Sequence, residues 1–499
     1  MKKFLFLSLL AVALLFTACE IIFGDPDNDA SFHTPNSPGV PLNTTSQFWA
    51  QDITNDSFYR LSAQKLAEGE YCTVWVETGK NVSASIARAM ASTYDTDIYP
   101  KMKAVFGIDN ITYQGIRFRD TMALADALGD DDGKLCILLL DIRDGYNPST
   151  NPGFVGGYFA WIDFLGSNDP VILNYNLKSN ERDMIYVDIN PSVPGDEESN
   201  TTLAHELQHM MNFINNQAIR EGNFTDTWLT EGLSAAAEYV YSGVPDTNRL
   251  LWYNMATTAA HGSRITTGNN FFAWDQYNDA SVLDDYATVS LFFQWLRLQS
   301  GGGTNIYRAI SRSSHSDYKA IVGAMSRYND WGSLLKTWLA ANYINAPSGQ
   351  YGYMNDRILS NVRARTAPEG TTRVNLYPGE GVYSVTNSSG STPNSGRNVR
   401  YAGLDRNSRA VNDTVVYASG ALLTYNVDTN SDGSRETGTT TGIAASVDTV
   451  PESLHVGAAL SGPFRISAGD MLRHNGFAEA PLPPLRLPLG DDYMGDKDN

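Results

Sequence analysis

The sequence predicts an α+β protein, in which an N-terminal mixed sheet and a set of helices are followed by an all-β C-terminal domain. Three observations carry this prediction. Short β-branched and aromatic runs dominate before residue 190, and helical periodicity dominates from about 200 to 345. Beyond about residue 365 the composition turns to Thr, Ser, Gly, Asn and Val with short β-type runs.

The first segment stands apart from the fold. Lys2 and Lys3 precede an apolar run of 13 residues, Phe4 to Phe16, which is too short to span a bilayer and suits a signal peptide. Thr17 and Ala18 then precede Cys19, a pattern like a bacterial lipobox, although Phe16 stands where leucine is commonest. Residues 1–18 therefore read as a lipoprotein signal peptide and Cys19 as the lipidated mature N-terminus. That reading implies export to the cell envelope and membrane attachment through lipid, with plain secretion as the alternative. Residues 19–45, rich in Asp, Asn, Pro and Ser, read as a flexible tether.

The folded body is expected over 46–365. Tyr71–Glu77 alternates like a strand, and Val82–Met90 and Asp95–Phe106 read as helices. Leu135–Ile142 is a nearly continuous apolar run, as in a strand covered on both faces, and Met184–Ile189 is a further strand. The turn Asp130-Asp131-Asp132-Gly133 could hold calcium but lacks the spacing of an EF-hand loop, so it reads as a solvated acidic turn. Tyr286–Gln299 reads as a helix stopped by Gly301-Gly302-Gly303. The runs Thr414–Ala418 and Leu422–Asn426 place a separate β-sandwich-like domain over 366–475, and the proline-rich end, 476–499, reads as a flexible tail. No internal repeat is present. Cys72 and Cys136 sit in strand-like runs, where an exported chain permits either a disulfide or two buried thiols.

Composition excludes some functions. With 42% hydrophobic and 18% charged residues among 499, global disorder is excluded. A formal net charge of −19 without a Lys/Arg cluster argues against a nucleic-acid partner.

The segment Thr201–Ile214 contains His-Glu-x-x-His at 205–209. Residues four apart on an α-helix lie about 40° apart around its axis, so His205 and His209 point the same way and can share one metal ion. Leu203, Leu207, Met210, Met211 and Ile214 cluster on the opposite face and would anchor the helix to a core. Glu206 lies beside the histidines, able to reach a metal-activated water without being a ligand. A catalytic zinc needs a third protein ligand. One zincin class would place it at 215 with glycine at 212; Asn215 and Asn212 exclude that class. A second helix, Trp228–Val240, capped by Asp226 or Thr225, offers Glu231 and Glu238 on nearly one face. Glu231 is favoured as ligand because small residues, Ser234 and Ala235, surround it and allow close helix approach. Glu238 could instead orient a histidine from behind.

His205–His209 followed by Trp228-Leu-Thr-Glu231-Gly-Leu-Ser resembles the zincins whose third ligand is glutamate. More narrowly, the chain is similar to the hyicolysin-like neutral metallopeptidases, which include spirochaete lipoproteins. Tyr71–Glu77, Leu138–Tyr146, Gly156–Phe159 and Ser179–Asp188 carry that resemblance over roughly 50–345, and Gly379–Ser384 continues it. The resemblance implies a zincin catalytic domain and a zinc endopeptidase acting on proteins or peptides. It makes His205, His209 and Glu231 the ligands and Glu206 the base. It also implies a downstream Tyr or His as donor to the oxyanion, for which Tyr286, at the start of its helix, is the candidate, with Tyr277 and His261 behind it. The thermolysin-like pattern has aspartate four residues after the ligand glutamate, where this chain has Ala235. Two alternatives remain: a surface-binding, adhesin-like lipoprotein on an inactive peptidase fold, and another zinc hydrolase using the same helix pair.

Overall fold

The computed structural model describes residues 32–151, 153–220, 224–255, 271–272, 279–364, 366–367, 373–431, 436–439 and 465–467. The expected signal peptide, Cys19, the 476–499 tail, His261 and Tyr277 lie outside the described residues.

Strands β1 (Thr45–Asp52), β2 (Ser57–Glu68) and β3 (Cys72–Glu77) lead to helix α1 (Ala84–Thr93), a π turn (Tyr94–Ile98) and α2 (Tyr99–Phe106). A hairpin of β4 (Asp109–Tyr113) and β5 (Ile116–Asp120) precedes α3 (Thr121–Leu128). Then come β6 (Leu135–Leu140), β7 (Phe154–Phe159), the short α4 (Pro170–Asn174) and β8 (Met184–Asp188). Helices α5 (Glu197–Ile219), α6 (Thr227–Ser242), α7 (Thr247–Met255), α8 (Asp279–Gln299), α9 (Asn305–Ser311), α10 (Tyr318–Ala324) and α11 (Trp331–Ile344) follow. The β-rich region holds β9 (Arg373–Leu376), β10 (Gly381–Val385), β11 (Gly390–Ser391), β12 (Val399–Asp405), β13 (Ala410–Asn412), β14 (Val415–Val416), β15 (Ala421–Asn426) and β16 (Glu436–Thr439); the last described strand is β17 (Arg465–Ser467).

The main sheet is mixed, in the order β1-β2-β3-β6-β8-β7-β17. Its centre is parallel across β3, β6 and β8, and β7 runs antiparallel to β8. Every residue of β6 and β8 is buried, which is why these strands read as unbroken apolar runs. Thr73 pairs with Cys136 across the parallel ladder, so Cys72, its neighbour, points to the opposite face of the sheet. Both cysteines are accordingly free and buried.

The two helices expected at 82–90 and 95–106 are joined by the π turn, where the Asp95 carboxylate accepts the backbone N–H groups of Glu70 and Tyr71. The acidic turn at 130–133 is also more engaged than a solvated turn. Asp131 binds His33 and Asn36, Asp132 accepts the Lys134 backbone N–H, and Asp130 pairs with Arg182. Residues 33–37, expected as part of a flexible tether, are thus fastened to the body.

One face of α5 packs on the sheet at β7 and β8, while α2 and α3 lie alongside it. Gly157 permits this approach: a Cβ there would come 2.7 Å from the Tyr186 carbonyl oxygen and 2.8 Å from Thr202 Cγ2. Helix α6 is fixed by Trp228, whose ring meets Phe271, Phe272 and Trp331 at centroid distances of 5.3–5.7 Å. Gly232 on α6 lets α8 close in, since a Cβ would lie 2.2 Å from the Phe293 ring.

Beyond residue 373 a four-stranded antiparallel sheet, β10-β15-β12-β13, turns one face to α11. Tyr383, Ala402, Leu404, Ala421, Leu423 and Tyr425 on that face belong to the same core as the helices. The other face, with Val399, Tyr401 and Leu422, is covered by small two-stranded ladders, β9–β16 and β11–β14. The β-rich region is therefore built onto α11 through a shared core. β17, which falls within the expected sandwich, pairs in parallel with the outer edge of β7 instead. An edge strand offers unpaired backbone groups to any segment that reaches it. Among the described residues no helix is long and apolar enough to cross a membrane.

Candidate metal centre

Helix α5 starts where Asp196 accepts the Ser199 backbone N–H at 2.7 Å, and Glu197 and Glu198 in its first turn complement the helix dipole. Leu203, Leu207, Met210, Met211 and Ile214 are wholly buried. That places the imidazoles of His205 and His209 on the face turned to α6, their ring centroids 4.9 Å apart. Helix α6 starts at Asp226, whose carboxylate accepts the Trp228 indole N–H and makes no side-chain cap bond. The two helices are tied by Ser234, which donates to the Gln208 side-chain oxygen at 2.6 Å.

Between the helices, one ligand atom each from His205, His209 and Glu231 lies within 4.8 Å of the others. Glu231 Oε2 is 3.4 Å from His205 Nε2, and Glu231 Oε1 is 3.5 Å from His209 Nε2. Two donors each ~2.1 Å from one ion at the tetrahedral angle stand ~3.4 Å apart, so the spacing fits a shared zinc. His205 Nε2 and both Glu231 oxygens are buried without a hydrogen bond. Polar atoms left so in a protein interior cost free energy unless something satisfies them. The donor set of two imidazoles and one carboxylate is that of a catalytic zinc site with a position left over for water.

Electrostatics point the same way. Burial disfavours charge on His205, yet Glu231 and Glu238 outweigh it and lift its pKa to about 10. Burial pushes the Glu231 carboxyl up, but His209 and His205 outweigh it and hold it well below the usual carboxylate range. The pocket thus selects positive charge where the ligand atoms converge.

The surrounding contacts set orientation. Glu238 Oε1 lies 2.8 Å from His205 Nδ1, a contact that holds a proton on Nδ1 and leaves Nε2 as the nitrogen that would take a metal in place of a second proton. Arg249 Nη2 donates to the same Glu238 oxygen at 3.1 Å, and its guanidinium lies 5.0 Å from the Tyr286 ring. Thr230, held by Asn212, lies 3.4 Å from His209 Nδ1. Glu206 Oε2 is buried without a hydrogen-bond partner, and the nearby Phe159 backbone on β7 favours the ionised carboxylate. Burial outweighs the lowering effect of both histidines and leaves the Glu206 carboxyl raised.

Tyr286 is not at the start of its helix: α8 begins at Asp279, so Tyr286 sits two turns inside it. Its ring meets the Arg249 guanidinium, which binds the Glu238 carboxylate beside His205. Arg249 and Thr230 carry no local motif, and only the adjacency of Thr230 to Glu231 could have drawn attention to it.

No family model matches the chain. The chain is 28% identical over 299 residues to the neutral metalloprotease ShpI of Staphylococcus hyicus, a match covering 58% of this chain and 59% of that protein. The chain thus spans about three-fifths of the length of the curated relative it matches.

Glu238→Gln keeps the shape of the side chain but removes the charge behind His205. It is expected to weaken zinc binding by about 10–100-fold in competition with a chromogenic chelator. An unchanged affinity would show that Glu238 does not tune the ligand.

Proposed function

We propose that the chain is a zinc-dependent endopeptidase, with His205, His209 and Glu231 as metal ligands and Glu206 as general base. The observation that carries this reading is the convergence of buried ligand atoms from His205, His209 and Glu231, with His205 Nε2 and both Glu231 oxygens lacking a hydrogen bond, beside a carboxylate that is not one of them. Likeness to a neutral metalloprotease supports it.

When bound, zinc would supply Lewis acidity and make water acidic enough to ionise near neutral pH. The chain's residues do the rest. Glu206 takes a proton as the oxygen of the attacking water bonds to the peptide carbonyl carbon. It returns that proton to the amide nitrogen as the C–N bond breaks. Glu238 and Thr230 hold the two imidazoles. Protein or peptide chains are the proposed substrates. The proposal also has Cys19 lipidated, anchoring the exported enzyme at the cell envelope.

Glu206→Gln is expected to retain zinc and the fold while casein hydrolysis falls by at least about 10²–10³-fold, and a chelator should abolish cleavage by the unaltered protein. Full cleavage by Glu206→Gln would remove Glu206 from the mechanism; folded, zinc-loaded protein that cleaves no protein or peptide would favour the surface-binding reading. Tyr286 is proposed to support Arg249 through its ring. Tyr286→Phe should then leave kcat nearly unchanged, whereas a loss of about 10²-fold would assign its hydroxyl to the reacting oxygen. The intact mass of protein taken from cell membranes should carry the lipid, and Cys19→Ala should be found unlipidated and released; an unmodified Cys19 in the mature protein would contradict the anchor.

A further inference from the structure

A second group of ligand atoms lies away from the candidate zinc site. One carboxylate oxygen each from Asp126, Asp130 and Asp183 falls within 4.8 Å of the others. Asp126 is on α3, Asp130 opens the turn into β6, and Asp183 immediately precedes β8. They are brought together by a close backbone approach: a Cβ on Gly129 would lie 2.4 Å from the Asp183 backbone nitrogen. Asp183 is only 1% exposed, and neither of its carboxylate oxygens has a hydrogen-bond partner. Asp130 Oδ1 is likewise buried and unpartnered. The remaining bonds are few: Asp126 Oδ1 accepts the Gly133 N–H at 2.6 Å, and Asp130 Oδ2 faces Arg182 Nε at 2.8 Å.

Three carboxylates against one guanidinium leave an excess negative charge in a largely dry site. Such a site must take up protons or a cation. Burial, augmented by the neighbouring carboxylates, pushes Asp126 up to about 7 and Asp183 well above its usual range. The donors are all oxygen, which suits a hard divalent ion and not zinc or copper. We propose that Asp126, Asp130 and Asp183 form a binding site for a hard divalent cation, best matched by calcium, that braces α3 against β6 and β8. The turn beside it holds the N-terminal segment, since the Ser37 N–H donates to the Asp131 carbonyl and His33 binds the Asp131 carboxylate. The ion therefore also secures residues 33–37. This set differs from a loop of consecutive acidic residues: two of its three members lie outside the 130–133 turn.

The test uses zinc-loaded full chain, freed of calcium and then titrated with calcium chloride. Elemental analysis after dialysis should find one calcium per chain beside zinc, and the unfolding temperature should rise by about 5 °C at 100-fold excess over Kd. The Ser37 amide should exchange more slowly with calcium present. Asp183→Asn should lose the calcium and the shift while keeping zinc, and Asp126→Asn should weaken both as an independent check. The site is overturned if the unaltered protein retains no calcium and shows no calcium-dependent shift. It is equally overturned if Asp183→Asn shows the same shift, or if that variant simply stabilises the calcium-free protein to the level of the unaltered one, the behaviour of carboxyls that share a proton.

Discussion

The Glu231 carboxylate, buried between two imidazoles, is the constraint on which the rest of this structure depends. An anion removed from water is costly unless cations or donors surround it. Here its oxygens face His205 and His209 at 3.4 and 3.5 Å, and no hydrogen bond satisfies either. The helices α5 and α6 must therefore meet at one register, with the ligand faces opposed. Everything around them serves that meeting: the apolar stripe of α5 against the sheet, the Ser234–Gln208 bond between the helices, and the aromatic cluster around Trp228 behind α6.

Close approach sets the choice of small residues. Gly157 lets α5 settle against β7 with Glu206 close by, since a Cβ at 157 would lie 3.5 Å from Glu206 Cγ. Gly232, directly after Glu231, brings α8 near enough for Tyr286 to cover Arg249, which in turn faces Glu238. The site is thus supported from the sheet on one side and from a buried charge chain on the other. A bulky residue at either glycine would act on the chemistry without touching a ligand.

The parts of the site visible in the sequence are those set by local periodicity. The i, i+4 histidines and the apolar residues opposite them follow from one helix alone, and Glu231 follows from a second helix with small neighbours. What was not legible depends on contacts between distant segments. Arg249 has no local signal. The start of α8 was misjudged because the apolar pattern tightens only near Tyr286, while Asp279–Asp285 is broken by acidic residues that a helix N-terminus tolerates well. The strands of the core announced themselves through burial on both faces. The pairing of β17 with β7, and the sharing of one core between the β-rich region and α11, are non-local choices that composition does not encode.

X-ray absorption at the zinc edge, on full chain purified without added metal, addresses the central claim most directly. The account predicts one zinc per chain with two imidazole nitrogens and oxygen ligands at about 2.0–2.2 Å, and loss of the imidazole signal in His205→Ala. Folded protein without zinc, or zinc bound with an unchanged ligand signature in His205→Ala, would contradict it.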